Sequence, residues 1–191
     1  AIPTFWPNQI HFENYAEAFT TANLGKLFLN TLYVGLVSTL LSLVITVLSA
    51  FAFARLEFKG KFNGADVYDD YAHHPGELEA TLDAVQQLGY KRNIVVFQPH
   101  TYTRTAALFD DFVKQLKRPD ITYLAEIYAA REINHIGISS KDICREINGA
   151  KYFATFEEIV ADLKKFAQPG DIILTIGAGD VFKIGEALVA K

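Results

Sequence analysis

"NIVVFQPHTYTRTAALFDDFV", residues 93–113, decides the fold class. Residues 93–98 are a short β-branched apolar run, the pattern of a strand covered on both faces. A polar cluster follows at once, and a helical pattern then runs over 104–117. Working outward, the same alternation recurs. Strands are expected at 65–71, 121–127, 151–155 and 171–176, and helices near 76–88, 140–147, 156–167 and 181–190. Thr155 and Glu158 have capping-box spacing for the helix at 156–167. Gly170, in "QPGD", marks the turn before the last strand. Strand and helix alternating over short connections predict an α/β fold with a doubly wound, mainly parallel sheet.

In such sheets ligands sit beyond the carboxyl ends of the strands. Three polar clusters fall there: "DDYAHHP" (69–75), "QPHTYTRT" (98–105) and "EIYAARE" (126–132). Asp69, Asp70, His73 and His74 are ordinary metal-ligand types, but adjacent residues rarely face one ion, and no HExxH spacing occurs. The pattern fits orientation better, with a carboxylate fixing an imidazole tautomer while His73 or His74 meets an anionic or amino group. The competing reading makes the histidine a cap on the following helix. His100 and Arg104, four apart across a strand–helix turn, suit a phosphate or carboxylate; a surface salt bridge is the plainer alternative. "GAGD" (177–180) lacks the small sixth residue of a dinucleotide fingerprint, since Phe182 stands there, so a tight turn with close backbone packing accounts for it better. No GxxxxGK[ST] phosphate loop occurs. His135 and Cys144 lack any recognisable partner pattern.

The residues before this region have a different composition. Residues 1–57 carry only Lys26, Arg55, Glu13, Glu17 and Glu57 as charges; the remainder of the 18 basic and 22 acidic side chains lie in 58–191. The net charge of −4 points away from a nucleic-acid partner. With Cys144 as the single cysteine, an internal disulfide and a cysteine zinc site are both excluded. Methionine is absent, even from position 1, which suggests a fragment or a processed chain, and no basic signal-peptide region opens it. Residues 27–54 hold no charge at all. As a helix they would reach ~42 Å, enough to cross a hydrocarbon core of about 30 Å with some tilt. Gly35, Ser38, Thr39, Ser42, Thr46 and Ser49 recur mostly at steps of three and four, a small-residue face that would let neighbouring helices approach. Arg55, Lys59 and Lys61 after the run, against Lys26 before it, place its C-terminal end in the cytoplasm. The alternative is a very apolar helix buried in a soluble protein.

Two resemblances add to this reading. "HFENYAEAF" (11–19) and "NLGKLFLNTLYVGLVSTLLSLVITVLSAFAFARLEFKGK" (23–61) resemble the membrane-spanning subunit of carbohydrate ABC transporters. They cover about one of its helices and lack the loop that docks on the ATPase. "EFKGKFNGADVYDDYAHHPGELEATLDA" (57–84), "VVFQPHTYTRTAALFDDFV" (95–113), "YLAEIYAAREINHIGISS" (123–140) and "GDIILTIGAGDVFKIGEALV" (170–189) resemble the C-terminal domain of the UDP-N-acetylmuramate–L-alanine ligases, within the Mur ligase family.

The second resemblance implies a part in peptidoglycan precursor synthesis. There ATP phosphorylates the muramic acid carboxylate and the amine of L-alanine attacks the acyl phosphate. ATP and magnesium are held by a central domain, and an N-terminal domain grips the UDP-sugar; neither is contained here, so no cofactor is expected on this chain alone. The resemblance implies UDP-N-acetylmuramate and L-alanine as substrates. It places Arg104 and His100 on the anionic substrate and Tyr71 and His73 in orientation, with Asp69, Asp70 and His74 in support. Thr101 stands where many members carry arginine. The expectation is a cytoplasmic ligase domain at 58–191, inactive alone, behind a membrane-associated permease-like fragment at 1–57. Competing readings are a transport component with a passenger domain and a binding module without turnover. The two patterns meet at the shared "EFKGK", which reads as the seam of a hybrid.

Overall fold

The structure, a computed structural model, describes residues 12–21, 23–53 and 56–190. The chain divides into two units, Ala1–Phe53 and Ala54–Lys191.

In the first unit a short helix α1 (Glu13–Thr21) precedes α2 (Leu24–Phe53). The segment of α1 carried no expectation of a helix. α2 begins three residues before the uncharged run and takes Lys26 into its first turn. Its expected end at Ala54, and the flanking Arg55, lie outside the described residues. Over Leu24–Thr46 its mean hydropathy is 1.9 with none of the segment buried, so by length and composition it could cross a membrane. Thr31 and Thr39 donate their hydroxyls to the carbonyls of Leu27 and Gly35, at 3.0 and 2.8 Å, so these two polar side chains are satisfied within the helix itself.

The second unit is a six-stranded sheet in the order β1-β2-β6-β3-β4-β5. The strands are β1 (Glu57–Phe62), β2 (Ala65–Asp70), β3 (Arg92–Phe97), β4 (Ile121–Leu124), β5 (Lys151–Tyr152) and β6 (Asp171–Ile176). Between and after them lie α3 (Pro75–Gln87), α4 (Tyr102–Ala107), α5 (Phe109–Leu116), α6 (Ser140–Arg145), α7 (Phe156–Phe166) and α8 (Phe182–Val189). All pairings are parallel except that of β1 with β2. The doubly wound, mainly parallel sheet is as the alternation foretold.

The two faces of the sheet carry separate cores. Val95 and Phe97 of β3, with Ile172, Leu174 and Ile176 of β6, pack with Leu78, Leu82, Phe112, Leu116 and Ile143 from α3, α5 and α6. The alternate residues Ile94, Val96 and Ile173 pack with Ile159, Leu163, Ile184 and Leu188 from α7 and α8. Period-two alternation therefore feeds both layers, and β6 is buried at every position.

Four details depart from the sequence reading. The stretch 57–62, where no strand was expected, is an edge strand. It turns into β2 through Asn63 and Gly64, whose φ angles of 50° and 81° suit a tight hairpin turn. The single helix expected over 104–117 is two, broken at Leu108. α4 buries only Thr105, while α5 turns Phe112, Val113 and Leu116 into the core. β4 stops at Leu124, although Ala125 N–H still donates to Phe97 O at 3.0 Å. β5 stops at Tyr152, and Thr155 instead caps α7 with the expected capping box.

Candidate functional site

Because β2, β3, β4 and β6 run parallel, their carboxyl ends lie along one edge. The loops 71–74, 98–101, 125–139 and 177–180 leave from that edge. They bring His73, His100, Tyr71 and Tyr128 together. The rings of His73 and His100 lie 5.9 Å apart, Tyr71 stands edge-on to His73 at 5.5 Å, and Tyr128 stacks on His100 at 5.5 Å and 21°. Arg104, on the first turn and a half of α4, reaches back so that Nη1 lies 3.3 Å from His100 Nδ1. Among the described residues Arg104 forms no ion pair with a carboxylate, so the salt-bridge alternative is not what the structure has.

The backbone at this point is held in an unusual conformation. Thr101 has φ 68° and ψ 146°, a region that a β-branched residue rarely occupies and that costs about 1–3 kcal/mol. Its neighbours over-determine it. Thr101 N–H donates to Tyr128 O at 2.9 Å, the Thr105 hydroxyl donates to Thr101 O at 2.6 Å, and Arg104 N–H donates to Thr101 Oγ1 at 3.5 Å. Glu132, from the loop after β4, accepts the backbone N–H of Thr103 at 2.9 Å and also its hydroxyl. These hydrogen bonds hold its carboxyl below the usual range. The His100 imidazole is shifted to lower pKa by burial first, then by the Arg104 cation and by His73.

The supporting residues are arranged differently from the sequence reading. Among the described residues, the side-chain hydrogen-bond partners of Asp69 and Asp70 are not histidines. Asp69 accepts the Thr175 hydroxyl at 2.7 Å, and burial raises its pKa. Asp70 accepts the Thr81 hydroxyl at 2.6 Å and the Ala72 N–H at 3.0 Å, tying the strand end to α3. The carboxylate beside His73 is Glu77. Its Oε2 accepts the backbone N–H groups of His73 and His74, at 2.8 and 3.0 Å, and lies 3.6 Å from His73 Nδ1. His74 is the N-cap of α3, with Gly76 N–H donating to its Nδ1 at 3.3 Å. The capping alternative thus describes His74, although that residue is exposed and not buried, and the ring that meets His100 is that of the half-buried His73. The sequence reading allowed for a histidine cap but did not single out Glu77 as the other half of the box.

Two further residues were missed. Gln98 is buried at the end of β3; its amide donates to Glu126 O at 3.2 Å and accepts from Asp180 N–H at 3.0 Å. It therefore ties the "GAGD" loop to the β4 loop. In the same loop, a Cβ at Gly179 would lie 2.8 Å from Tyr128 Cγ, which is the close backbone approach expected of that turn. Tyr128 sat in the third polar cluster, but nothing in sequence spacing shows that its ring covers His100.

No phosphate loop is present, and among the described residues no three of His, Cys, Asp and Glu gather as a metal-binding group. His135 is exposed and Cys144 donates to Ala150 O at 3.4 Å, both outside the site. What the edge offers is a cation, two imidazoles and two phenols around an open surface, suited to hold a small polar or anionic group.

Comparison with known proteins gives one consistent result. The family described as "Mur ligase, glutamate ligase domain" matches residues 54–179. A UDP-N-acetylmuramate–L-alanine ligase of Agathobacter rectalis is 48% identical over 155 residues, covering 78% of this chain and 34% of that protein. One from Acetivibrio thermocellus is 51% identical over 136 residues, 69% of this chain and 29% of that protein. The chain spans about a third of the length of these curated relatives. Among solved structures, a domain of a putative UDP-N-acetylmuramate:L-alanyl-γ-D-glutamyl-meso-diaminopimelate ligase from Haemophilus ducreyi aligns with a TM-score of 0.54 at 25% identity. That alignment covers 71% of this chain and 97% of that one. The UDP-N-acetylmuramate–alanine ligase of Thermotoga maritima aligns at 0.55 and 21% identity, covering 71% of this chain and 29% of that one, a likeness of fold.

Proposed function

The chain belongs to the Mur ligase family through its glutamate ligase domain, and on that premise we propose that 58–191 is the substrate-positioning C-terminal domain of an ATP-dependent ligase joining L-alanine to UDP-N-acetylmuramate. The observation that carries this reading is the clustering of Tyr71, His73, His100 and Arg104 at one strand edge, in a chain 48% identical to ligases of that name. Arg104 and His100 meet the anionic group of the substrate or acyl intermediate, and Tyr71 and His73 orient the incoming amine. ATP and magnesium act from the rest of the ligase, so this domain positions and does not turn over by itself. A ligase of this kind works in the cytoplasm.

The test is a graft. Residues 57–191 replace the matching C-terminal domain of the Agathobacter rectalis relative, and phosphate release is measured with ATP, UDP-N-acetylmuramate and L-alanine. Release that needs all three supports the reading. A folded graft that stays inactive, while the parent enzyme works, refutes it.

For the first unit a second reading is favoured by the unburied apolar α2 and by the permease-like pattern around it. In this reading 1–57 is a fragment of a carbohydrate ABC transporter permease whose helix enters a bilayer, joined to an unrelated passenger domain. Alkaline extraction of membranes from expressing cells tests it. The full chain should stay with the membrane, and its release into the soluble fraction would refute insertion.

A further inference from the structure

The two histidines at the strand edge use the same ring nitrogen in opposite ways. His73 Nδ1 lies 3.1 Å from the backbone carbonyl of Tyr71, which can only accept, so Nδ1 carries the proton there. His100 Nδ1 lies 3.3 Å from Arg104 Nη1, and a guanidinium can only donate, so this Nδ1 is bare. A second proton on His100 would face that permanent cation. From these contacts we propose that His73 and His100 hold opposite neutral tautomers, so that the edge presents a bare His73 Nε2 as acceptor beside a His100 Nε2–H donor. The ligand class that matches is one with a donor and an acceptor side by side, such as an amine next to a carboxylate or acyl oxygen. The assignment of tautomers stands on the chain alone; only the identity of the bound group rests on the proposed ligase function.

Tyr128 is the positioning residue of this arrangement. Its ring lies on His100, and its main chain brackets the same residue: Tyr128 N–H donates to Pro99 O at 2.8 Å, and Thr101 N–H donates to Tyr128 O at 2.9 Å. The plane of His100 is thus fixed from β4 while its tautomer is fixed from α4. Arg104 opposes protonation of His100, and Glu132 favours it more weakly from the loop after β4. Glu77 stands beside Nδ1 of His73, the nitrogen assigned a proton. His74 supplies an internal reference, because its Nδ1 accepts from the Gly76 N–H and its own proton therefore sits on Nε2.

The experiment is long-range 1H–15N correlation of the imidazoles in the full chain, held in a mild detergent at pH 8, well above the unperturbed histidine pKa of about 6.5. Peaks are assigned by single His→Gln substitutions. The expected result is protonated Nδ1 for His73 and protonated Nε2 for His100 and His74. His73 decides most, since its tautomer is the opposite of its neighbour's. One shared tautomer for His73 and His100 overturns the inference. Arg104→Leu should let His100 titrate at higher pH and admit the Nδ1–H form; an unchanged tautomer and titration would remove Arg104 from the account. Tyr128→Phe should leave the His100 signals in place, while Tyr128→Leu should shift and broaden them. Equal spectra for the two would remove the positioning role. The deciding spectrum is that of the wild-type chain, and the His→Gln variants serve only to assign its peaks. It reads nitrogen protonation in this chain, so its failure is distinct from a failed graft, which reads phosphate release.

Discussion

The glycine that closes the site's edge is open to a quantitative test. Gly177 leaves β6 with φ 154°, and its N–H donates to Asp70 O at 3.0 Å. A Cβ placed there would stand 2.7 Å from the backbone oxygen of Gln98 and 3.2 Å from Val181 Cγ1. Gly177→Ala therefore meets two costs. The unfavourable backbone region is worth about 1–3 kcal/mol, and overlap with a main-chain atom at the end of a central strand adds about 1–3 kcal/mol. The sum, about 2–6 kcal/mol, is a large part of the ~5–15 kcal/mol that holds a domain folded. Gly149 separates the two costs. Its φ is 80° and no atom lies within 4 Å of its would-be Cβ, so Gly149→Ala should lose only the backbone component, about 1–2 kcal/mol. Pulse proteolysis of the full chain in urea reads the survival of the C-terminal unit. With a urea slope of about 2 kcal/mol per molar, the midpoint should fall by about 1–3 M for Gly177→Ala and by about 0.5–1 M for Gly149→Ala. Equal losses in the two variants would refute the contact argument. A loss under about 1 kcal/mol at Gly177 would refute the close approach of the loop to β3.

Other outcomes follow from the same packing and electrostatics. Phe112 is fully buried against Phe97, with ring centroids 5.4 Å apart, so Phe112→Ala should cost about 3–5 kcal/mol in urea unfolding and Phe112→Leu far less. Asp171 is buried, and although burial opposes its charge, the hydrogen bonds from Arg92 and Gln168 N–H win and lower its pKa. The folded pKa lies below the unfolded one. This stabilisation is therefore whole above about pH 4, the unfolded carboxylate value, and is lost as pH falls further. Asp171→Asn should remove that acid-limb dependence from pH-resolved unfolding curves. Burial also raises the Cys144 thiol pKa, so iodoacetamide should modify it more slowly than a free cysteine at pH 8, and at the free rate once the chain is unfolded in urea.

The central strands were legible because both of their faces are covered. "IVVF" and "DIILTI" leave no polar side to confuse with a helix, and β3 and β6 fall within a residue of the expected bounds. The edge strand was harder. "EFKGKF" alternates weakly, carries Gly60 and continues an unrelated-looking apolar run, although Asn63-Gly64 was a hairpin signal that could have been used. No glycine or proline marks the break at Leu108. It follows from tertiary demands on either side, with Arg104 drawn back to His100 and Phe112 turned inward. For the site, the spacing of His100 and Arg104 was enough to pair them, since the four-residue step across a turn brings two ends together. The support of His73 by Glu77 and the cover of His100 by Tyr128 were not legible. The first needs Glu77 to turn back onto the backbone of His73 and His74, and the second depends on the register of β3 against β4.

The openness of the edge bears on how such a domain contributes to a reaction. Tyr71 is 68% exposed and Tyr128 37%, so the rings beside His73 and His100 meet water. A charge pair at 4 Å is worth about 1 kcal/mol in water but about 4 kcal/mol at an effective dielectric of 20. The His100–Arg104 pair therefore gains most of its effect on an anionic group only when another surface covers the edge and removes solvent. Pre-organisation is already in place: Thr101 is strained and held, Gln98 ties two loops, and Tyr128 covers His100. A rigid but uncovered edge is what is needed by a domain that closes over substrate bound elsewhere. It is poorly suited to a self-sufficient receptor, which would have to enclose its ligand with its own side chains. That contrast favours the positioning role over the free-standing binding module.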